Sequence, residues 1–124
     1  MFPENLWLIV GGFCMGNNLL KPAPEYRNGY KDPKRMAEIA AMKCIACSKA
    51  DLKQLFRTEV HHLIGYGIGK KSSDLFTIPL CSFHHRLGNK GEAIHSGIKS
   101  FEANFSTQED FLLQVNTMIE KNAN

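Results

Sequence analysis

The sequence lacks any apolar run able to cross a bilayer. Residues 6–10 (LWLIV) fall far short of the ~20 residues a membrane helix needs, and no basic residue stands ahead of them as in an export signal. A membrane partner is therefore not expected. Internal repeats and low-complexity runs are also missing. The glycine-rich residues 65–73 (GYGIGKKSS) do not make a phosphate-binding P-loop, because no Gly-Lys-Ser/Thr follows at the required interval before a helix. Cysteine is scarce, with four in the chain. Four could form two disulfides in a secreted protein, but without an export signal a reducing cytoplasm is expected, where Cys-x2-Cys reads as a metal or redox pair. A thioredoxin-like pair wants a preceding buried strand and a βαβ pattern, and neither is present.

The 124 residues, 44% of them hydrophobic, suit one small domain. A loop-rich domain of that size gains from a metal staple. The net charge of +3 is compatible with a polyanionic partner. Residues 1–31 read as an irregular tail and arm, 32–120 as the single domain, and 121–124 as a frayed end. Residues 1–14 fit poorly with the polar, proline-containing stretch after Met15, as a loose tail or the product of an upstream start, so Cys14 is left out of any metal site. In the arm, Pro22, Pro24 and Gly29 rule out regular structure, while Lys21, Arg27 and Lys31 beside Tyr26 and Tyr30 suit a nucleic-acid strand or, equally, a solvated arm. Asp32-Pro33 then opens a helix, with Met36, Ile39 and Ala40 on its apolar face and Lys34, Arg35 and Glu38 toward solvent.

Histidine and the remaining cysteines are concentrated. Four of the five histidines fall in residues 59–86, as two adjacent pairs, His61-His62 and His84-His85. Cys44-x2-Cys47 upstream and Cys81-x2-His84 downstream are two half-sites with the spacing of a structural zinc site. Between them, residues 55–64 alternate as a strand with Phe56, Thr58 and Val60 on one side. His61 and His62 thus point to opposite faces and serve two different purposes. Residues 75–80 form the second strand, and residues 82–87 a short helix that Gly88 stops. Positions three and four beyond Cys81 share its helical face, so spacing admits either His84 or His85 to the zinc. Lys70 and Lys71 in the intervening loop, and Arg86, are candidate phosphate contacts; a plain glycine-rich hairpin connection is the alternative for the loop. Beyond the hairpin, Ile98, Phe101 and Phe105 have helical spacing. Ser106 or Thr107 caps a last helix with Glu109 and Asp110 in its first turn and Phe111, Val115, Met118 and Ile119 as its stripe. Both helices are expected to cover the hairpin.

Strand, His-His, loop, strand, then Cys-x2-His-His on a helix resembles the HNH nuclease motif, whose fold is the ββα-metal finger. More narrowly, HHLIGYGIGKKSSDLFTIPLCSFHHR followed by IHSGIKSFEANF is similar to the phage recombination-enhancement (Ref) nucleases, which are RecA-dependent endonucleases. The resemblance covers about residues 30–115. It implies an α+β fold, a small zinc-stapled ββα-metal finger packed with flanking helices, and a DNA endonuclease acting on RecA-bound DNA. Mapped onto this chain, it implies Cys44, Cys47, Cys81 and His84 as zinc ligands, His61 and His85 as ligands of one divalent catalytic ion, and His62 as general base. The ion's identity stays open among Mg, Mn, Zn and Ni, although Mg usually prefers oxygen. The middle position of the motif is commonly Asn. Here Asp74 stands nearest, with Asn89 as a substitute, and its expected job is to orient the base. An imidazole titrates near ~6.5, so at pH 7 a histidine can take a proton from attacking water. His95 is the candidate third metal ligand or phosphate donor. A non-catalytic, zinc-stapled nucleic-acid-binding module is the alternative function, with a redox protein using Cys44 and Cys47 as a third.

Overall fold

A computed structural model of the chain describes residues 26–66 and 72–123. The fold is α+β, a two-stranded antiparallel sheet with helices packed on it. Helix α1, Pro33–Ala40, begins as the sequence implies: Pro33 opens the first turn and the Asp32 carboxylate accepts the Arg35 N–H at 3.1 Å. Its faces differ from expectation. Ile39 is buried, but Ala40 is exposed, and Arg35, expected in solvent, is buried. The Arg35 guanidinium donates to the Thr77 hydroxyl, the Thr77 carbonyl and Asn116 Oδ1, each at 2.9 Å. Burial pulls its pKa down, and Asp32, Glu38 and Asp74 partly offset that.

Helix α2, Ile45–Lys49, follows, then strands β1, Thr58–His62, and β2, Thr77–Cys81. The first strand is shorter than expected, and Leu55 and Phe56 before it are exposed. The register pairs Thr58 with Cys81, Val60 with Pro79 and His62 with Thr77. Backbone bonds Leu63 N–H to Phe76 O and Ser82 N–H to Arg57 O bracket the ladder. Counting inward from them places Val60 and Pro79 at a non-hydrogen-bonded pair, so the proline's missing N–H costs the ladder nothing.

Residues Phe83–Leu87 form one π-helical turn rather than an α-helix, closed by Gly88 N–H to Phe83 O at 2.9 Å. Gly88 is required there, since a Cβ would stand 2.9 Å from Glu92 Cβ and 3.0 Å from the Phe83 carbonyl. A 3-10 turn, Ile94–Ser96, leads to α3, Ile98–Asn104, and α4, Gln108–Ala123. Thr107 caps α4 by accepting the Asp110 N–H, and the helix continues through residues expected to fray. Its buried stripe is Phe111, Leu112 and Val115, with Leu112 in place of the exposed Met118. These side chains close over Ile78 and Leu80 of β2, Ile39 of α1 and Phe101 of α3, forming one core. The arm also contributes to it: Tyr26, partly buried, stacks on Phe76, and Tyr30 O accepts the Asp74 N–H. No helix among the described residues is long and apolar enough to cross a membrane.

Candidate metal centres

Cys44 occupies the N-cap of α2, where its sulfur accepts the Cys47 N–H at 3.4 Å. Leu52 N–H then closes on Cys47 O at 2.8 Å, and Asp51, at φ 56°, turns the chain back. Gln54 fastens this knuckle to the hairpin: its Oε1 accepts the Cys44 N–H and its Nε2 donates to Phe56 O and Thr58 Oγ1. From the other side, the end of β2 supplies Cys81 and the π turn supplies His84. His84 Nδ1 lies 3.6, 3.4 and 3.3 Å from the sulfurs of Cys44, Cys47 and Cys81, and the Cys47 and Cys81 sulfurs are 3.9 Å apart. Around a tetrahedral zinc with ordinary bond lengths, the S···N and S···S edges are about 3.6 and 3.8 Å. The four buried donors therefore fit zinc. Burial pushes the Cys44 and Cys47 thiols up and the His84 imidazole down; a cation at their centre does the opposite for the thiols, holding them as thiolates.

The second cluster lies on the other side of the same hairpin. Glu59 and His61 alternate onto one face of β1, while His62 turns to the other. The rings of His61, His85 and His95 stand 4.8–5.5 Å apart by centroid, with one nitrogen from each within 4.8 Å of the others. His85 Nδ1 is 2.8 Å from Glu59 Oε1. A carboxylate only accepts, so Nδ1 carries a proton, and in the neutral ring Nε2 keeps its lone pair, 3.1 Å from His95 Nε2. Carboxylate behind histidine is the usual outer support of a metal ligand. The Arg86 guanidinium and His85 together pull the Glu59 carboxyl down to about 2, against its partial burial. Arg86, expected to meet phosphate, is thus exposed but engaged through two nitrogens with Glu59. Burial drives the His61 pKa down to about 4; the Gln108 hydrogen bond opposes it, and His85, His95 and His62 add to it. His95 is lowered by burial and by His85. The cluster runs from a buried His61 to an exposed His95, so it is open on one side.

On the opposite face, His62 Nε2 is 2.9 Å from Asp74 Oδ1. By the same reasoning Nε2–H donates, and in the neutral ring Nδ1 keeps a lone pair. Asp74 Oδ2 accepts the Asp32 N–H at 2.8 Å. Burial pushes the Asp74 carboxyl up, but the bonds from His62 and the Asp32 amide outweigh it and leave it lowered.

The sequence-derived residues therefore separate into three places: Cys44, Cys47, Cys81 and His84 in one cluster, His61, His85 and His95 in a second, His62 and Asp74 as a pair. The fork that spacing left open at His84-His85 resolves with His84 among the thiols. Asn89, the substitute for Asp74, uses its backbone N–H and carbonyl around Glu92 and Ala93. Lys70 and Lys71 lie outside the described residues, as does Cys14. Sequence reasoning missed Glu59, Gln54 and Gln108. Glu59 had a visible signal, since it shares the His61 face of an alternating strand two residues away.

A matching stretch of 57 residues is 35% identical to the uncharacterized protein YdfU of Escherichia coli (strain K12), covering 44% of this chain and 15% of that one. The chain thus spans a small part of the length of that relative. No solved structure matches it. The family profile described as "protein of unknown function (DUF968)" aligns with residues 20–120. That span takes in all three groups of site residues and every helix and strand of the fold except the end of α4, so the chain belongs to the DUF968 family.

Proposed function

We propose that the chain is a metal-dependent DNA endonuclease of the HNH type. In this reading the hairpin and the turn after it act as a ββα-metal finger stapled by zinc on Cys44, Cys47, Cys81 and His84. The observation that carries it is the division of labour on one hairpin: a closed, buried Cys3His cluster, an open three-histidine cluster, and a His–Asp pair on the residue adjoining a member of the open one.

His61, His85 and His95 would hold the catalytic ion, which when bound stabilises negative charge on the scissile phosphate and on the leaving 3′ oxygen. His62 supplies the base. Its Nδ1 accepts a proton from water as that oxygen attacks phosphorus and the bond to the 3′ oxygen breaks. Asp74 holds the ring in the tautomer that leaves Nδ1 open and stabilises the imidazolium that forms. An all-imidazole set favours Zn or Ni over Mg or Mn. Action on RecA-bound DNA is supported by the resemblance to the Ref nucleases.

The test is nicking of supercoiled plasmid with Mg, Mn, Zn and Ni in turn, with and without a RecA filament. Wild-type nicking that His62→Ala abolishes, at unchanged zinc content, is the expected result. DNA binding that survives EDTA, with no nicking under any ion, would replace this reading with the non-catalytic zinc-stapled binding module.

A further inference from the structure

The three histidines of the open cluster all come from the hairpin and the turns after it, but the buried support of His61 comes from another element. Gln108 is the first residue of α4 and is 4% exposed. Its amide pairs with both backbone groups of Ile64: the Ile64 N–H donates to Oε1 at 2.9 Å, and Nε2 donates to the Ile64 carbonyl at 3.1 Å. A backbone N–H can only donate and a carbonyl can only accept, so the two ends of this amide cannot be exchanged. The oxygen that results faces His61 Nε2 at 3.0 Å. That nitrogen must therefore be the donor, and a neutral imidazole with its proton on Nε2 has its only in-plane lone pair on Nδ1.

We propose that Gln108 is a positioning residue that fixes His61 as the Nε2–H tautomer, so that Nδ1 is the atom it offers to a divalent ion. This rests on the reading of the three-histidine cluster as a metal centre. The device completes a pattern: Glu59 holds the His85 proton on Nδ1 and frees its Nε2, while Gln108 does the converse for His61. The two supports differ in charge. Glu59 is an anion already engaged by Arg86, and Gln108 is neutral, so His61 is oriented without adding negative charge where a phosphodiester would have to approach. The Gln108 backbone is held as well, its N–H donating to Glu102 Oε2 at 2.8 Å, so the amide is aimed by both α3 and the Ile64 backbone.

The experiment is long-range 1H–15N correlation of the histidine rings in protein carrying one equivalent of zinc, without a second ion and without DNA, followed by calorimetric titration with Ni2+. Wild-type protein should show His61 as a single Nε2–H tautomer. Gln108→Met should give mixed tautomers and weaken Ni2+ binding 10–100-fold. Gln108→Glu, which keeps an oxygen toward His61 while losing the donor to the Ile64 carbonyl, should restore the Nε2–H tautomer. An Nδ1–H tautomer in the wild type overturns the proposal, as does a Gln108→Met protein with unchanged tautomer and Ni2+ affinity. If Gln108→Met does not fold, the wild-type spectrum still decides. A correct tautomer with tight Ni2+ binding in a protein that never nicks DNA would overturn the nuclease reading and leave this one standing.

Discussion

His84 and His85 are consecutive residues whose rings belong to different centres: His84 Nδ1 lies among three sulfurs, and His85 Nδ1 lies on the Glu59 carboxylate. Replacing one should therefore have consequences unlike replacing the other. His84→Ala should lose the zinc and most of the folded state, because in small zinc domains a binding free energy of order 10 kcal/mol is also folding free energy. His85→Ala should keep one zinc and its circular dichroism while losing metal-dependent nicking. Native mass spectrometry of the two variants separates them, and equal zinc loss in both would contradict the division.

The His62–Asp74 pair leads to a graded expectation. His62→Ala should lower nicking by roughly 10²–10⁴-fold, the usual worth of a positioned base. Asp74→Asn can turn its amide nitrogen toward His62 and so favour the wrong tautomer, and should lose activity by a smaller factor. Single-turnover cleavage rates measure both, with zinc content as the control. Full activity in His62→Ala would remove the residue from the chemistry.

Arg35 is buried with three hydrogen bonds to Thr77 and Asn116. Arg35→Met keeps much of its bulk but strands the Thr77 carbonyl and Asn116 Oδ1, and should destabilise the domain by about 2–4 kcal/mol. Urea denaturation of the zinc-loaded protein gives the value. A change below about 0.5 kcal/mol would mean those groups find other partners.

Stability should depend on pH through His61. Its pKa falls from 6.5 to about 4 on folding, so the unfolded chain binds more protons between those values. Stability is then fully present above about pH 6.5 and is lost progressively as pH falls toward 4, by about 3 kcal/mol at most. Glu59, held at about 2 against 4.5, adds a second loss between pH 4.5 and 2. Denaturation midpoints from pH 8 to 4 without added catalytic ion check the first phase, and a flat profile would contradict it.

What the sequence made legible was local. Cys44-x2-Cys47 and Cys81-x2-His84 could be read because each half-site is a short turn whose spacing fixes which way its donors point. The opposed faces of His61 and His62 followed from strand alternation alone. Gln108 was out of reach because it lies 47 residues from His61 and meets it only through packing. Arg35 was misjudged for a related reason. A single apolar stripe assumes one neighbour, but α1 meets both β2 and, at Asn116, α4, so a polar residue at its edge is buried between them. The π turn has no signature that separates FHHRL from an ordinary helical turn.

The two oxygens of Asp74 are committed to different tasks, one to the ring of His62 and the other to the amide that starts α1. The carboxylate thus links the His62 ring to the start of the first helix. While both bonds hold, the first turn of α1 and the ring of His62 cannot be moved independently.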